Sequence, residues 1–343
     1  MKKKCILHGG MPKTGSTSIQ QAFFSYESSE LVYAPLIVAA HTFPLRYLVD
    51  PEGRDRLNAI PARKMPKVIK KETKGLEKRF RTFLETNDKN VLISSEDLVN
   101  PGMLKRREDL VQLLEPYFDE IVFIAYVRSP EEYMVSALMD IFKDVKTPFD
   151  PRTAYPNYQS RFEPWIDTLG EGNVSLIQYD PSRFQKGNVV SDFAARLDVD
   201  DPATSGKRFN STQSAESIAI QQLWNRNCSD GVSSFRRRSR ISFGRRQVLT
   251  FGERQFGIDP DLLQVICHEN REDIKWMEQR LGETFRPYEP RPDAMNFHSE
   301  KQFSQFAMDA EEAFWEHISN IWSWRAHSVP MLEAVGRTLI GEE

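Results

Sequence analysis

The chain has 343 residues, 40% hydrophobic and 28% charged, with a net charge of −3. That length suits one large α/β domain or two small ones, and the balance is that of an ordinary globular protein. The near-neutral charge excludes a global pull toward nucleic acid or an anionic membrane, and no apolar run has the length of a membrane span.

The elements follow in chain order. Lys4 to His8 is a short apolar strand; Lys2-Lys3-Lys4 before it suggests a signal peptide, but the apolar stretch ends at once in Gly9-Gly10. A helix starts near Gly15, with Thr14 and Ser16 as candidate caps, and runs through Phe23-Phe24. Leu31 to Pro66 is irregular and carries Pro35, Pro44, Pro51, Pro61 and Pro66; it reads as a functional insertion over the site. Leu76, Phe80, Phe83 and Leu84 fall at helical spacing, which predicts an amphipathic helix over 67–85. Asn90 to Ser94 is a buried strand, and Leu110, Leu113 and Leu114 mark a helix. Ile121 to Val127, β-branched and continuously apolar, fits the centre of a parallel sheet. Pro130 opens a helix that reaches Phe142. A helix ending at Gly170 leads into a strand over 173–178. Further helices are expected near 188–197, 215–227, 261–281 and 301–322. Strands alternating with helices imply a parallel sheet with right-handed crossovers.

The most informative run is Gly10 to Ser18. Gly10 and Gly15 keep the spacing of a nucleoside-triphosphate loop, but Ser16 stands where that loop has its lysine, and Lys13 lies inside the turn. A strand, a glycine turn and a helix start still present free N–H groups to an anion. The shifted charge argues against a simple ATP or GTP hydrolase and favours a different phosphate-bearing donor. Two more groups follow strand C-termini, where open α/β sheets bind ligands. Ser94-Ser95-Glu96-Asp97 ends the second predicted strand, and Val127-Arg128-Ser129-Pro130 ends the central one, with Ser136 two helical turns on.

Together these residues resemble the sulfotransferases that use 3′-phosphoadenosine 5′-phosphosulfate (PAPS). Pro12-Lys13-Thr14-Gly15-Ser16-Thr17 matches that family's 5′-phosphosulfate loop, P-K-[ST]-G-[ST]-[ST], position for position. Arg128 and Ser136 match its 3′-phosphate element, an arginine after a strand and a serine on the next helix. The resemblance covers about residues 4–200 and thins toward the C-terminus. It implies a single α/β domain with a P-loop nucleoside-triphosphate-hydrolase-like parallel sheet flanked by helices, with helical insertions. In that reading the nucleotide core spans about 4–200, the acceptor-side insertion about 31–66 and the helical C-terminal portion about 214–340. It further implies that Lys13, Thr14, Gly15, Ser16, Thr17 and Ser18 hold the phosphosulfate of PAPS, that adenosine 3′,5′-bisphosphate is the product, and that no metal is required. Lys13 would meet the charge that builds on the leaving phosphate oxygen.

The acceptor hydroxyl needs a base, and Glu96 stands where the cytosolic members carry histidine, as it does in many carbohydrate sulfotransferases; its other reading is a cap carboxylate for the Asp97–Leu104 segment. His41 is a second candidate, and His8 within the first strand reads as a satisfied core residue. Lys207-Arg208 is a candidate for closing the 3′-phosphate site, although the family's fuller glycine-containing loop is not evident. The arginines of 236–246 either guide an acidic acceptor or form a solvated basic face; no aromatic stacking platform interleaves them for nucleic acid. Phe303, Phe306, Ala310, Phe314, Ile318 and Ile321 form a helical stripe, read as core packing or as a homodimer seam. Glutamate at the base position and the charged insertion lean toward a carbohydrate or glycolipid acceptor. Three cysteines without metal or redox spacing suit a cytoplasmic location, and the N-x-[ST] triplets at Asn173, Asn210 and Asn227 read as chance. Rival readings are a small-molecule P-loop kinase, which wants a lysine after Gly15, and a non-catalytic nucleotide- or glycan-binding scaffold.

Overall fold

A computed structural model describes residues 3–11, 13–50, 75–144, 147–202, 213–226 and 248–323. In chain order these contain β1 Lys4–His8, α1 Ser16–Phe23, β2 Leu31–Tyr33, α2 Thr42–Val49, α3 Leu76–Thr86, β3 Asn90–Ser94, α4 Arg107–Leu114 and β4 Glu120–Val127. They continue with α5 Pro130–Asp144, α6 Tyr158–Leu169, β5 Val174–Gln178, α7 Val189–Arg196, α8 Ala215–Arg226 and β6 Gln255–Ile258. The last are α9 Pro260–Glu269, α10 Arg271–Leu281, β7 Ala294–Phe297 and α11 Glu300–Ser323. The chain divides into two compact units: Met1–Ser129 with Asn157–Phe209 and Glu272–Arg286, and Pro130–Pro156 with Asn210–Arg271 and Pro287–Glu343.

The first unit is built on a parallel five-stranded sheet of order β2-β3-β1-β4-β5. Its central strands read as unbroken apolar runs because both faces are covered. On one face Ile6, Leu92, Tyr126 and Ile177 pack against Ile19 and Phe23 of α1 and Val189, Val190 and Phe193 of α7. On the other, Phe123 stacks on Trp165 of α6 with ring centroids 4.8 Å apart, and the Trp165 indole N–H donates to the Leu98 carbonyl at 2.9 Å. The chain leaves β1 toward β2 on one side and leaves β4 toward β5 on the other. The adjacent C-termini of β1 and β4 are therefore the point where the winding reverses, the place such sheets use for ligands. Register holds the ends of β1 and β3 level, with His8 opposite Ser94, while β4 continues past Ile124, the partner of His8, to Val127.

The second unit holds a two-stranded parallel sheet, β6 with β7, and the helices α5, α8, α9 and α11. An aromatic cluster fills it: Phe303 lies 5.0 Å from Phe142 and 5.0 Å from Phe297, centroid to centroid. Ala310, Phe314 and Ile318 of α11 are buried against Ile220 and Trp224 of α8. The apolar stripe of α11 is thus covered within this unit along its described side chains, as core packing requires; the Ile321 side chain lies outside them.

Three expectations need correction. The segment after Leu31 holds β2 and α2 in its described part. A three-residue strand leaves no periodicity to detect, and Pro44 sits in the first turn of α2, where its missing N–H costs nothing. The helix expected from Lys67 starts only at Leu76, after Gly75 at φ 73°, a value no right-handed helix contains; residues before Gly75 lie outside the described part. The helix expected over 261–281 is two helices. Asn270 breaks it at φ −112°, ψ 22°, and its side-chain amide donates to the Ile266 carbonyl at 2.8 Å, a local bond that competes with continuing the helix.

Trp165→Ala removes a fully buried side chain and leaves the Leu98 carbonyl without its donor. Urea unfolding should show a loss of about 3–5 kcal/mol. A loss below about 1 kcal/mol would mean that this face of the sheet is not the packed layer described.

Candidate active site

The loop between β1 and α1 takes its shape from two left-handed residues. Lys13 has φ 68° and Gly15 φ 79°. Glycine reaches that region freely; lysine does so at a cost of order 1–3 kcal/mol, which the surroundings must over-determine. They do: the Thr14 hydroxyl donates to the Met11 carbonyl at 2.6 Å, and the Thr14 N–H returns to the same carbonyl at 3.3 Å. Any Cβ at Gly15 would lie 2.6 Å from Val189 Cγ1, so α7 packs directly against the turn. From Gly15 the chain enters α1, whose Ser18 and Ile19 N–H groups bond back to the Gly15 carbonyl. The first N–H groups of a helix have no partner within it, and they sit beside the β1–β4 reversal. Thr14 and Ser16 are buried, Lys13 and Ser18 half-buried and Thr17 exposed; Pro12 lies outside the described residues.

Glu96 comes to this loop from the end of β3. The Ser16 hydroxyl donates to Glu96 Oε2 at 3.2 Å, across 80 residues of sequence. Glu96 is exposed and opens a short 3-10 turn, but the cap of that turn is Ser95, whose hydroxyl accepts the Asp97 N–H at 3.2 Å. The Glu96 side chain is therefore not spent as the cap. Two contacts that sequence reasoning missed secure this corner to α2. Arg46 grips buried Asp97 with both nitrogens, Nε at 2.5 Å and Nη2 at 2.7 Å, and the Thr42 and Ser95 hydroxyls bond at 2.8 Å. Its hydrogen bond to the Asp97 carboxylate is the chief cause holding the Arg46 guanidinium above its usual range.

Arg128 leaves the end of β4 and donates from Nη1 to the Lys13 carbonyl at 3.1 Å. Its guanidinium lies over the Tyr179 ring at 5.3 Å, and its own carbonyl accepts the Tyr158 hydroxyl at 2.6 Å. Loop, carboxylate and arginine thus share one edge of the sheet. Ser136 lies half-buried on α5 in the second unit. Lys207, Arg208 and the arginines of 236–246 lie outside the described residues.

His41, the second candidate base, and His8, read as a core residue, are both fully buried. His41 stands at the start of α2 with its backbone N–H on the Ser94 carbonyl at 3.0 Å, while the Ser94 N–H donates to His41 Nδ1 at 3.1 Å. Its Nε2 makes no hydrogen bond among the described residues. His8 bonds the Ser94 hydroxyl through Nδ1 at 2.7 Å, and its Nε2 has no partner among the protein groups. His8 is therefore a core residue satisfied on one side only. Burial pushes both imidazoles down to about 3.

Against known proteins, no protein-family model matches the chain and no curated protein matches it. Two sulfotransferases are among the solved structures that are similar. One is a crystal structure of a sulfotransferase from Alicyclobacillus acidocaldarius, at 14% identity and TM-score 0.41, covering 83% of this chain and 98% of that one. The other is a sulfotransferase domain from the curacin biosynthetic pathway, at 15% identity and TM-score 0.34, covering 89% and 97%. Scores this low carry no argument about activity, which rests on the residues above. Among the described residues, no helix is long and apolar enough to cross a membrane.

Both histidines are held without a proton in the folded chain but take one near pH 6.5 when unfolded. Their contribution is complete above that value and is lost as pH falls toward about 3. Each should remove about 2 kcal/mol of stability between pH 7 and pH 5. Urea midpoints at the two pH values test this. His8→Asn should remove about half of the acid-side loss, whereas a wild-type stability flat over that range would contradict the assignment.

Proposed function

We propose that this chain is a PAPS-dependent sulfotransferase whose acceptor is a carbohydrate or glycolipid hydroxyl. One observation carries the reading: the first residue of α1, at the anion-binding end of the loop, hydrogen-bonds a carboxylate from the end of the neighbouring strand. An anion cradle and a proton acceptor therefore lie side by side. The loop fits a phosphosulfate because its cation, Lys13, belongs to the turn itself and Ser16 occupies the position that a triphosphate loop gives to lysine.

In this scheme PAPS supplies an activated sulfuryl group on its 5′-phosphate. Glu96 takes the proton of the acceptor hydroxyl as that oxygen bonds to sulfur. The bond from sulfur to the bridging phosphate oxygen breaks, and the electron pair stays on that oxygen. Lys13 and the N–H groups from Gly15 to Thr17 meet the charge, and donors positioned in advance of the reaction are worth about 10²–10³ each in rate. Arg128 is assigned to the 3′-phosphate, since a guanidinium at a strand end is suited to a phosphate dianion, and Ser136 is assigned to it by resemblance alone. His41, buried and bonded to Ser94, is the weaker candidate for the base. Lys207 and Arg208 remain assigned to the 3′-phosphate by resemblance alone.

Transfer of label from PAPS to a glycan panel tests the activity. Glu96→Gln should lower kcat by about 10²–10⁴-fold; no transfer to any hydroxyl acceptor, or an unchanged kcat in the variant, would overturn the reading. Calorimetry tests the nucleotide pose. Arg128→Ala should weaken adenosine 3′,5′-bisphosphate far more than adenosine 5′-phosphate, and an equal loss for both would remove Arg128 from the 3′-phosphate.

A further inference from the structure

The segment from Val99 to Arg107 and the first turns of α6 border an open groove of about 380 Å³. That volume is within the range of small-ligand clefts, about 300–1,000 Å³. Three of its lining residues are cations, Lys105, Arg107 and Arg161, and none of the described lining residues is a carboxylate or an aromatic. Val99, Leu104 and Pro164 supply apolar surface between them. The groove lies at the edge of the sheet that carries the loop. Tyr158 opens α6, and its hydroxyl donates to the Arg128 carbonyl just past β4, so the first turn of α6 stands at that strand end. Arg161 follows in the same turn and donates from Nη1 to the Val99 carbonyl at 3.3 Å and to Asn100 Oδ1 at 3.2 Å. Val99 ends the 3-10 turn that Glu96 begins. At about 2 Å of rise per residue the two lie about 6 Å apart along its axis.

The cations are held in place by neutral groups. Arg107 donates from Nε to the Pro164 carbonyl at 3.0 Å and the Thr168 hydroxyl at 2.9 Å, and from Nη1 to the Leu104 carbonyl at 2.9 Å. These acceptors, like those of Arg161 Nη1, carry no charge, so they fix a guanidinium without cancelling it. Glu108 meets Arg107 Nη2 at 2.9 Å, but its side chain is 64% exposed, and water screens such a pair. The exposed Lys105 side chain makes no hydrogen bond or ion pair among the described residues. The end of α6 is not itself the anion site, because the Tyr158 and Gln159 N–H groups already donate to the Asp273 carboxylate at 2.8 Å each. An anion in the groove would be met by side chains.

We propose that this groove is an acceptor subsite beside Glu96 and seats an anionic unit of the acceptor, which makes the acceptor an acidic oligosaccharide. The proposal rests on the reading of Glu96 as the base for a carbohydrate hydroxyl. The reacting hydroxyl at Glu96 and the anionic group among Lys105, Arg107 and Arg161 then belong to different units of one saccharide chain. Its apolar surface suits the C–H faces of a sugar ring, while a nucleobase finds no aromatic platform among the described lining residues.

Calorimetry on protein saturated with adenosine 3′,5′-bisphosphate, which occupies the cations of the loop, isolates the groove. The probes are oligosaccharides of chondroitin, heparosan and polygalacturonate, each beside its carboxyl-reduced counterpart, and a peptide of glutamates. At least one acidic oligosaccharide should bind, and at least tenfold more tightly than its reduced counterpart and than the peptide. Lys105→Glu and Arg161→Gln should each weaken it roughly tenfold or more, the worth of one charged hydrogen bond, and leave the bisphosphate and the reduced counterpart unaffected. Lys105→Glu should keep the wild-type urea midpoint, and it decides the matter if Arg161→Gln does not fold. Failure of all three acidic oligosaccharides to bind, equal binding of the reduced forms or of the peptide, or binding unchanged in Lys105→Glu would overturn the proposal. If the bisphosphate does not bind, the PAPS reading fails separately. The same titrations on Lys13→Ala, which lacks the cation of the loop, then decide the groove by the same outcomes.

Discussion

A lysine held at φ 68° between a strand and a helix is the constraint on which the site depends. The strain is met by the Thr14–Met11 bonds inside the turn, by Val189 packed against Gly15, and by Arg128 on the Lys13 carbonyl. Its consequence is chemical. A cation within the turn meets a phosphate group from the side of the loop, whereas a lysine on the helix reaches along a polyphosphate chain. The backbone N–H groups at the start of α1 serve both designs; the location of the charge separates them.

The second constraint is the parallel pairing of β1 with β3 on one side and β4 on the other. Because His8 lies opposite Ser94, the segments that leave β1 and β3 emerge together, while β4 runs on to Val127 beside the start of the loop, its Ile124 and Tyr126 carbonyls accepting the Gly9 and Met11 N–H groups. Glu96 thereby reaches the Ser16 hydroxyl, and the Arg128 guanidinium reaches the Lys13 carbonyl. Below that edge the Ser94 contacts hold the strand ends together from inside, while above it the Arg46–Asp97 pair fastens α2. The site is supported by buried polar contacts on one side and a bidentate ion pair on the other. Such an arrangement limits the freedom of Glu96, although its own carboxylate is exposed.

How much of this could be read from the chain alone varies with the range of the interaction. β1, β3 and β4 were legible because strands buried on both faces leave continuous apolar runs, here Ile121 to Val127 above all. The loop was legible because the spacing of Gly10, Lys13 and Gly15 is local. The Ser16–Glu96 contact was only half legible: both residues follow strands, but their meeting depends on β1 pairing with β3 in parallel. Arg46 with Asp97, and Ser94 with two histidines, left no signal, because each joins residues about 50 to 90 positions apart through side chains that have many alternative uses. Asn270 shows the opposite failure: apolar periodicity runs past a single residue whose side chain ends the helix.

Parallel calorimetric titrations, one with adenosine 3′,5′-bisphosphate and one with ATP and magnesium, test the central claim most directly, because the two ligands ask for the loop's positive charge in different places. The account predicts saturable binding of the bisphosphate, lost in Lys13→Ala, and no comparable binding of magnesium ATP. Tight binding of magnesium ATP alone would contradict it and assign the loop to a kinase.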